Sequence, residues 1–586
     1  MKKTGLIEIL NSGNIKRILA LVLVIFMVTM TGCFNSEEKD PSTSSSNASS
    51  QNASENNSSN DVSSEESSSD TSSTEDGNSY NSNYGGNQAT QQNGSNTNKD
   101  KFVLGEIAID NQETKNSIPT DANEIEPLVD PTNLMTNYKG YADKERNKLR
   151  DEILNTPNTL ELYDVKGKVY YVSTSGNDAN DGLSPEKPIQ TLAAVDGLLL
   201  EDGDAVLFER GCIWRMTEVF ECRSYITYGS YGEGRKPMIL GSPKNFAQEI
   251  WKPSKKKNVW QINYMYNYPC GAFFDNGKEA GYLKTSMRAM TANTHFFFDE
   301  SMATLYLYCD KGNPSDVWDD IEFSQAKMKL HLNGGVHDVV VDNIAIRYTG
   351  QGGVGGSYKN GQFTVTNCEI GFTGGAWVGG DPSSGVRYCN GLEAWCAVPN
   401  IKWDHNWIYH TFDTAVSPQG NQGTNYHNMS MDKNLLEFNN ADFEFFEALP
   451  GKYKNYTMNN NICRFTSLGW GTREDDGGIR GIDGVQRGTV YVDQIESMYF
   501  NNNIIDCPGR MIYKMTIGSK KAYDNWERKG NVYYIKQSIR TTTALTFQFH
   551  WKDATTRVSG HSATNAKETI KAFAEFEPDA KVYWYK

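Results

Sequence analysis

Three carboxylates in the second half of the chain could perform acid–base chemistry: Glu393 in NGLEAW, Asp413 just before TAVSPQ, and Glu444 in DFEFFE. Two Asp or Glu side chains in unlike surroundings supply a proton donor and a charged carboxylate near pH 7. Such a pair can cleave an acetal, since the donor protonates the leaving oxygen while the carboxylate activates water or stabilises positive charge. We therefore predict that Glu393, Asp413 and Glu444 are catalytic.

The three segments alternate apolar and polar residues, which is typical of strands. Their inward positions align at Leu392, Val416 and Phe443. The outward row one residue further on consists of Glu393, Ser417 and Glu444. The next outward row consists of Trp395, Gln419 and Phe446. LGWGTR, residues 468–473, is a less clear fourth strand.

In stacked coils, Glu393 and Glu444 would lie two coils apart, about 9.6 Å between backbones at ~4.8 Å per coil. That spacing suits inverting hydrolysis, whereas Asp413 could shorten one pair to about 5 Å, the retaining distance. Both outcomes remain open at this point. The apolar neighbours of Glu444 favour its protonated form, so we expect Glu444 to be the acid. Since single carboxylates on an outer face are usually only solvated, the prediction rests on the cluster.

Several residues near these strands could contact a substrate. They are Trp395, Gln419, Glu447, Trp470 and Arg473. Tryptophans form platforms for sugar faces, although packing is the alternative for each ring, and a surface salt bridge is the alternative for Arg473. Two Gly-rich insertions, 373–387 and 474–487, are expected to wall the groove.

The positioning elements belong to a repeat that runs from about Val339 to Ile535. We anchor its seven copies at Asp342, Thr366, Asn406, Asn434, Asn461, Asn503 and Asn531. Apolar residues recur three before and two after the first six anchors, in segments that alternate with period two. Strands that recur once per coil bury one continuous interior, which predicts an all-β parallel solenoid.

Composition limits the partners and the redox chemistry. The net charge is −15, so no nucleic acid partner is expected. Nine cysteines follow Cys33, an odd number with no CxxC pair. Cys368, Cys463 and Cys507 occupy inward positions of the repeat, so we expect them to be small buried hydrophobes and predict no metal site from them.

The N-terminus resembles a bacterial lipoprotein signal. A basic leader and an apolar run end in Met30-Thr31-Gly32-Cys33. We predict a signal peptide over residues 1–33 with a lipid on Cys33, which would tether the protein to the outer face of the cell membrane. A Ser- and Asn-rich linker over residues 34–100 would then be disordered.

The ordered chain divides further by pattern. Residues 101–165 are an extension with a helix, Tyr141 to Leu154, that should cap the N-terminal end of the solenoid. The solenoid itself covers residues 166–586. Within it we predict a small antiparallel β insertion at about 251–322 and a C-terminal cap at about 541–586.

The stretch VYYVSTSGNDANDGLSPEKP, followed by DGDAVLFERG, resembles the opening coil of right-handed parallel β-helix proteins of the pectate-lyase-like superfamily. The hairpin FFFDESMATLYLY is similar to one in bacterial β-helix proteins regarded as polysaccharide-active. The resemblance implies a right-handed parallel β-helix with short capping helices. It also implies a glycoside hydrolase of the xylosidase, xylanase or fucosidase type, although the paired Asp motifs of polygalacturonases are absent.

The turn GNDANDG could hold calcium through Asn177, Asp178, Asn180 and Asp181, although a self-bonded turn is the favoured interpretation. No other cofactor is expected.

We expect a monomeric, surface-anchored glycoside hydrolase acting on a polysaccharide. A lyase with a base among Arg473, Arg480, Arg510 and Lys514 is the second reading, and a non-catalytic carbohydrate-binding protein is the third.

Overall fold

The computed structural model describes residues 140–586 with several gaps. The gaps are 358–360, 381, 396–398, 421–424, 448–451, 473–483, 491–494, 510, 518–519, 537–544, 552–560, 564–566, 569–570, 572, 575–576 and 586. The predicted signal peptide with Cys33 and the predicted linker lie outside the described residues. No helix in the described part of the chain is long and apolar enough to cross a membrane.

Strands precede, form and follow the insertion in chain order. Before it lie β1 Val169–Val172, β2 Ala205–Glu209, β3 Ile213–Arg215, β4 Phe220–Cys222, β5 Thr227–Tyr231 and β6 Met238–Leu240. The insertion contains β7 Lys252–Pro253, β8 Val259–Asn263, β9 Pro269–Phe274, β10 Glu279–Ala280, β11 Tyr282–Leu283, β12 His295–Asp299, β13 Thr304–Tyr308 and β14 Ile321–Gln325.

The repeat region follows. Its first half contains β15 Leu330–Leu332, β16 Val339–Asp342, β17 Ala345–Arg347, β18 Val354–Ser357, β19 Phe363–Thr366, β20 Glu369–Thr373, β21 Ala376–Trp377, β22 Arg387–Tyr388, β23 Leu392–Trp395, β24 Ile401–Asp404, β25 Trp407–Thr411, β26 Thr414–Gly420 and β27 Asn425–Ser430. The rest contains β28 Leu435–Glu437, β29 Ala441–Glu447, β30 Lys452–Thr457, β31 Ile462–Arg464, β32 Gly484–Val490, β33 Met498–Asn501, β34 Ile504–Asp506, β35 Met511–Ile517, β36 Trp526–Lys529, β37 Val532–Lys536, β38 Leu545–Trp551, β39 His561–Ala563 and β40 Lys581–Tyr585.

Three ten-stranded sheets form the body of the protein. Sheet I has the order β1-β2-β5-β16-β19-β24-β27-β30-β33-β36, and sheet II the order β3-β6-β17-β20-β25-β28-β31-β34-β37-β40. Sheet III has the order β4-β15-β18-β23-β26-β29-β32-β35-β38-β39. Pairing within them is parallel except between β38 and β39. Successive coils thus add one strand to each sheet, and the predicted parallel β-helix is confirmed.

The interior is one continuous apolar cluster that runs the length of the stack. The inward residues predicted three before the anchors all belong to it: Val339, Phe363, Trp403, Met431, Met458 and Phe500. Eight described cysteines are buried free thiols, among them Cys368, Cys463 and Cys507, so the prediction that these three are small buried hydrophobes is confirmed.

Buried asparagines form a ladder at one corner of the coils. The Oδ1 atoms of Asn434, Asn461, Asn503 and Asn531 each accept the backbone N–H of the preceding ladder asparagine, at 2.7–2.9 Å. Because each amide satisfies a corner N–H that no strand partner reaches, the ladder fixes the bend between sheets I and II. The Asn anchors of the repeat are the members of this ladder.

The first two anchors are shifted from the predicted positions. Ile346 pairs with Ile370 and Ile370 with Ile408, so Ile344 and Cys368 hold the places equivalent to Asn406. Asp342 and Thr366 therefore lie two residues too early. A shift of two leaves every side chain on the same face of a strand, which is why the alternation did not reveal it.

The predicted insertion is confirmed as two small, mainly antiparallel sheets. One has the order β10-β9-β14 and the other β11-β12-β13-β8-β7. They enclose their own apolar cluster, which includes Phe274, Phe296, Leu305 and Trp318.

The α-helices with complete bounds in the described part of the chain are short: α1 Asp143–Leu154, α2 Thr159–Leu162, α3 Leu192–Asp196, α4 Pro314–Val317 and α5 Lys520–Asp524. The place of α1 differs from the prediction of an end cap. Its Arg146 pairs with Glu437 of β28 at 3.0 Å, and Asp143 contacts Arg464 of β31, so α1 lies along the flank of sheet II. It is α3 that packs on the interior beside the first coil, with Val195 buried in the main cluster.

The C-terminal segment closes the other end of the stack. Phe573 joins the main apolar cluster, and the buried Glu577 accepts hydrogen bonds from Asn531, Tyr513 and Tyr533.

Candidate active site

The predicted outward row exists as drawn from the sequence. In sheet III, Glu393 pairs with Ser417, and Leu392 pairs with Val416. Val416 pairs in turn with Phe443, which places Glu444 beside Ser417 on the next strand. Leu392, Val416 and Phe443 are buried in the interior, so the three residues that follow them face away from it. Glu393 and Glu444 are therefore two coils apart.

Glu444 is held by two polar neighbours of the middle strand. Ser417 Oγ donates to Glu444 Oε2 at 2.5 Å, and Gln419 Nε2 donates to the same oxygen at 3.2 Å. Gln419 Nε2 also donates to Ser417 Oγ at 2.8 Å. The row residue Ser417 thus fixes one carboxyl oxygen of Glu444.

Glu393 is fixed by a cation that the sequence analysis did not select. Lys329 Nζ lies 3.1 Å from Glu393 Oε1, and the two side chains are 8 % and 2 % exposed. Asn390 Nδ2 approaches the other oxygen at 3.4 Å. The buried ammonium is therefore a direct ionic partner of the Glu393 carboxylate. Lys329 precedes β15, outside the seven repeat copies, so the repeat could not point to it.

Glu393 also packs closely against the preceding strand. Gly355 pairs with Glu393, and a Cβ added at Gly355 would lie 2.4 Å from Glu393 Cγ. The missing side chain at Gly355 leaves room for the Glu393 carboxylate.

The row continues with a His–Glu pair beyond Gly355. His331 pairs with Gly355 on one side and with Glu221 on the other, and His331 Nδ1 lies 3.0 Å from Glu221 Oε1. Burial lowers the pKa of His331. These residues were missed because β4 and β15 lie before the recognisable copies.

Two aspartates near the row are enclosed. Asp413 is 0 % exposed and precedes β26. Asp442, two residues before Glu444, is also 0 % exposed and accepts hydrogen bonds from Thr466 and Asn439. Burial raises the pKa of Asp442 to about 8, so this carboxyl is largely protonated at neutral pH. Glu393 and Glu444 are also buried, at 1 % and 7 % exposed, so exposure does not separate the four carboxyls. Glu393 and Glu444 are the better pair because they flank Ser417 in one outward row.

The structure places the residues predicted to contact substrate in different surroundings. Trp395 is half-buried on β23, and among the described residues its Nε1 has no acceptor. Gln419 pairs with Phe446, and Gly420 with Glu447, so Glu447 lies on the strand of Glu444. Arg473 lies outside the described residues. Among these residues, Trp395 and Gln419 are brought beside the two carboxylates.

The structure corrects the prediction that Trp470 contacts a sugar. Trp470 is 1 % exposed, donates from Nε1 to His410 O at 2.7 Å, and packs edge-on against Phe412. It cannot be a sugar platform. LGWGTR does not supply the fourth strand either, because Trp470–Thr472 is a 3₁₀ turn and β32, Gly484–Val490, pairs with β29 instead.

The bounds of the two predicted insertions change accordingly. Residues 484–487 belong to β32, and 474–483 lie outside the described part of the chain. In the first insertion β21 and β22 form a hairpin, and its Tyr388 ring lies 6.2 Å from that of Trp395. This hairpin borders the row, as predicted for a groove wall.

No group of three or more His, Cys, Asp or Glu suitable for a metal occurs among the described residues. In GNDANDG, Asp178 accepts from Gln190 N, Thr191 N and Thr191 Oγ1. Asn177 and Asp181 accept backbone N–H groups two residues on. These contacts are those of the self-bonded turn that the sequence favours.

Comparison with known proteins gives fold-level likeness only. No family model and no curated protein matches the chain. Among solved structures, a complex of XylC with xylose is 10 % identical, with a TM-score of 0.36 over 71 % of this chain and 82 % of that chain. A GH136 lacto-N-biosidase from Eubacterium ramulus is 14 % identical, with a TM-score of 0.28 over 68 % and 67 %. A rhamnogalacturonan lyase is 11 % identical, with a TM-score of 0.27 over 71 % and 87 %. Values this low carry no argument about function.

Proposed function

We propose that the protein is a carbohydrate-active enzyme, and specifically an inverting glycoside hydrolase that acts on a polysaccharide or oligosaccharide laid along sheet III. The observation that carries the proposal is the row in which Glu393 and Glu444 flank Ser417 across two coils. Two backbone steps of ~4.8 Å leave room for a water between one carboxylate and a sugar ring. Asp413, which would have shortened the pair, precedes β26 and is not a member of the row.

Each carboxylate has a defined role in this mechanism. Glu444, with Oε2 held by Ser417, is the acid that gives a proton to the leaving glycosidic oxygen as the C–O bond breaks. Glu393, paired with Lys329, is the base that takes a proton from water while that water attacks the anomeric carbon from the opposite face. Proton exchange with solvent then restores both groups. Trp395 contributes an indole N–H and an apolar face to the sugar.

The proposed location follows from the N-terminal sequence. A lipid on Cys33 and a Ser- and Asn-rich linker would hold the enzyme at the outer face of the cell membrane. Metabolic labelling with a fatty acid, compared between the full chain and Cys33→Ser, tests this. Equal labelling of both proteins would exclude the anchor.

The activity is tested with residues 101–586 on a panel of neutral and acidic polysaccharides. New reducing ends without ultraviolet absorbance at the unsaturated-uronate band are expected. Absorbance that appears with the products would exclude hydrolysis. Binding without any product would show a carbohydrate-binding protein.

A lyase is the second candidate because of the strand register that continues from Glu444. Glu444 pairs with Arg487 on β32, and Arg487 pairs with Lys514 on β35. Lys514 is one of the basic residues that could abstract a sugar proton, and the register assigns it to the same row. Cleavage of acidic polymers alone, with an unsaturated product that Lys514→Met does not form, would favour this candidate.

A further inference from the structure

A second concave site lies on the flank of sheet II, away from the row. It is a cavity of about 650 Å³ between residues 154–158, which connect α1 to α2, and the turn 232–236. Residues of β6, β17 and β20 form its floor: Met238, Ala345, Arg347 and Glu369. No residue of the row lines it. The volume is in the usual range of small-molecule sites and matches a monosaccharide with its first waters.

Buried charges at this cavity do not balance. Three cations are at most 9 % exposed: Arg210, Lys236 and Arg347. Two buried carboxylates face them, Glu369 and Asp342. Arg347 pairs with Glu369 at 2.9 Å and is thereby neutralised. Among the described buried residues, Asp342 is the carboxylate left for Arg210 and Lys236, so the buried side chains carry an excess of one positive charge. The exposed Glu161 and Glu233 line the same cavity and act on Arg210.

Lys236 carries that excess. Its Nζ donates to Asn343 Oδ1, and among the described residues no carboxylate lies within ion-pair distance of it. Asn343 is itself held by Pro157 O, which accepts from Nδ2 at 2.8 Å. Arg210, by contrast, has acceptors at Asn158, Gly234 and Thr156. A buried ammonium with one neutral acceptor has hydrogen-bond donors to spare.

The electrostatic surroundings of Lys236 disfavour its charged form. Burial, and next the charge of Arg210, lower the pKa of Lys236 to about 7. The charged or titratable groups around the cavity and Lys236 are Glu161, Arg210, Glu233, Arg235, Asp342, Arg347, Cys368, Glu369 and His405. Without a partner the ammonium gives up its proton near neutrality, whereas a bound anion would retain it.

We propose that this cavity binds a small organic monocarboxylate of monosaccharide size, a sugar acid, whose carboxylate pairs with the Lys236 ammonium. One negative charge cancels the excess. The site is independent of the proposed hydrolase activity, because none of its residues belongs to the row.

The test is isothermal titration of residues 101–586 with sodium glucuronate at pH 6, with glucose and inorganic phosphate in parallel. Glucuronate should bind, and glucose should bind at least tenfold more weakly because it lacks the charge. Lys236→Met should weaken glucuronate binding at least tenfold. The matched control is Lys148→Met on α1, a side chain that is 78 % exposed, and it should bind as the unmodified protein does.

The pH dependence provides a readout that does not need a variant. Between pH 6 and pH 8 the affinity for glucuronate should fall roughly tenfold, as the protonated fraction of a group with pKa about 7 falls. The proposal would be overturned if the affinity for glucuronate did not change with pH, or if glucose bound equally well. It would also be overturned if phosphate bound more tightly than glucuronate, or if millimolar glucuronate did not bind.

Discussion

The asparagine ladder and the outward row of sheet III follow the same stacking but differ in what repeats. The ladder places the same side chain, for instance Asn434 and Asn461, at successive coils, each one fully buried. The row changes at every coil, from Glu393 to Ser417 to Glu444. At the buried corner, the repeated asparagine gives the same backbone N–H group a hydrogen-bond acceptor in successive coils. Variation on an outer face is what a binding site requires, since its substrate differs from one subsite to the next.

Glu444→Gln should have the largest effect on the catalytic rate. The amide still accepts the hydrogen bond from Ser417 but cannot donate a proton to the leaving oxygen. We expect the rate to fall about 10²- to 10⁴-fold, the usual share of general acid catalysis, with an unchanged melting temperature. Steady-state kinetics on the polysaccharide that the panel identifies measures it.

Asp442→Asn is the matched control on the same strand. Asp442 is enclosed and its pKa, raised by burial to about 8, keeps it largely protonated, so an amide should replace it with little change in rate. Full activity of Glu444→Gln, or an equal loss in Asp442→Asn, would contradict the assignment.

The second test concerns Lys329→Met. Removing the ammonium leaves the Glu393 carboxylate as an unpaired buried charge, which should cost about 3–5 kcal/mol of unfolding free energy. The double variant Lys329→Met/Glu393→Gln should recover most of that stability in urea denaturation and remain inactive. An active double variant would mean that the pair is structural only.

The third test addresses the ladder. Asn434→Ala removes the donor to Trp403 O, at 2.8 Å, and the acceptor of Asn406 N. Leaving these buried groups without partners should cost about 3 kcal/mol. Urea denaturation measures the loss, and activity per folded molecule should not change. A fall in activity at unchanged stability would show that the ladder does more than hold the corner.

The smallest effect is expected on the flank, at Lys236→Met. The folded-state pKa of Lys236, about 7, lies below its ordinary value of 10.5, so the unfolded chain binds the extra proton between these limits. Stability of the unmodified protein should therefore rise from pH 7 to pH 10. The variant should be more stable by about 1–2 kcal/mol at pH 6, and because the unmodified protein gains roughly 4 kcal/mol between pH 7 and pH 10, this difference should reverse sign before pH 10. A constant difference across that range would contradict the buried ammonium.

The comparison also explains what the sequence could predict. Period-two alternation with one copy per coil predicts which residues face outward together, so the register of Glu393, Ser417 and Glu444 followed from it. The same period hides a shift of two residues, as at Ile344 and Cys368. Contacts that join unlike parts of the chain leave no periodic signal, which is why Lys329, the flank position of α1 and the burial of Trp470 were not predicted.

If Glu393 and Glu444, two coils apart, act as base and acid, cleavage of the glycosidic bond should invert the anomeric carbon. Proton NMR of the first-formed product, recorded before mutarotation, tests it directly. The inverting mechanism predicts an anomeric signal of the inverted configuration. A retained anomer, which requires carboxylates about 5 Å apart, or a vinylic proton of an unsaturated uronate would contradict it.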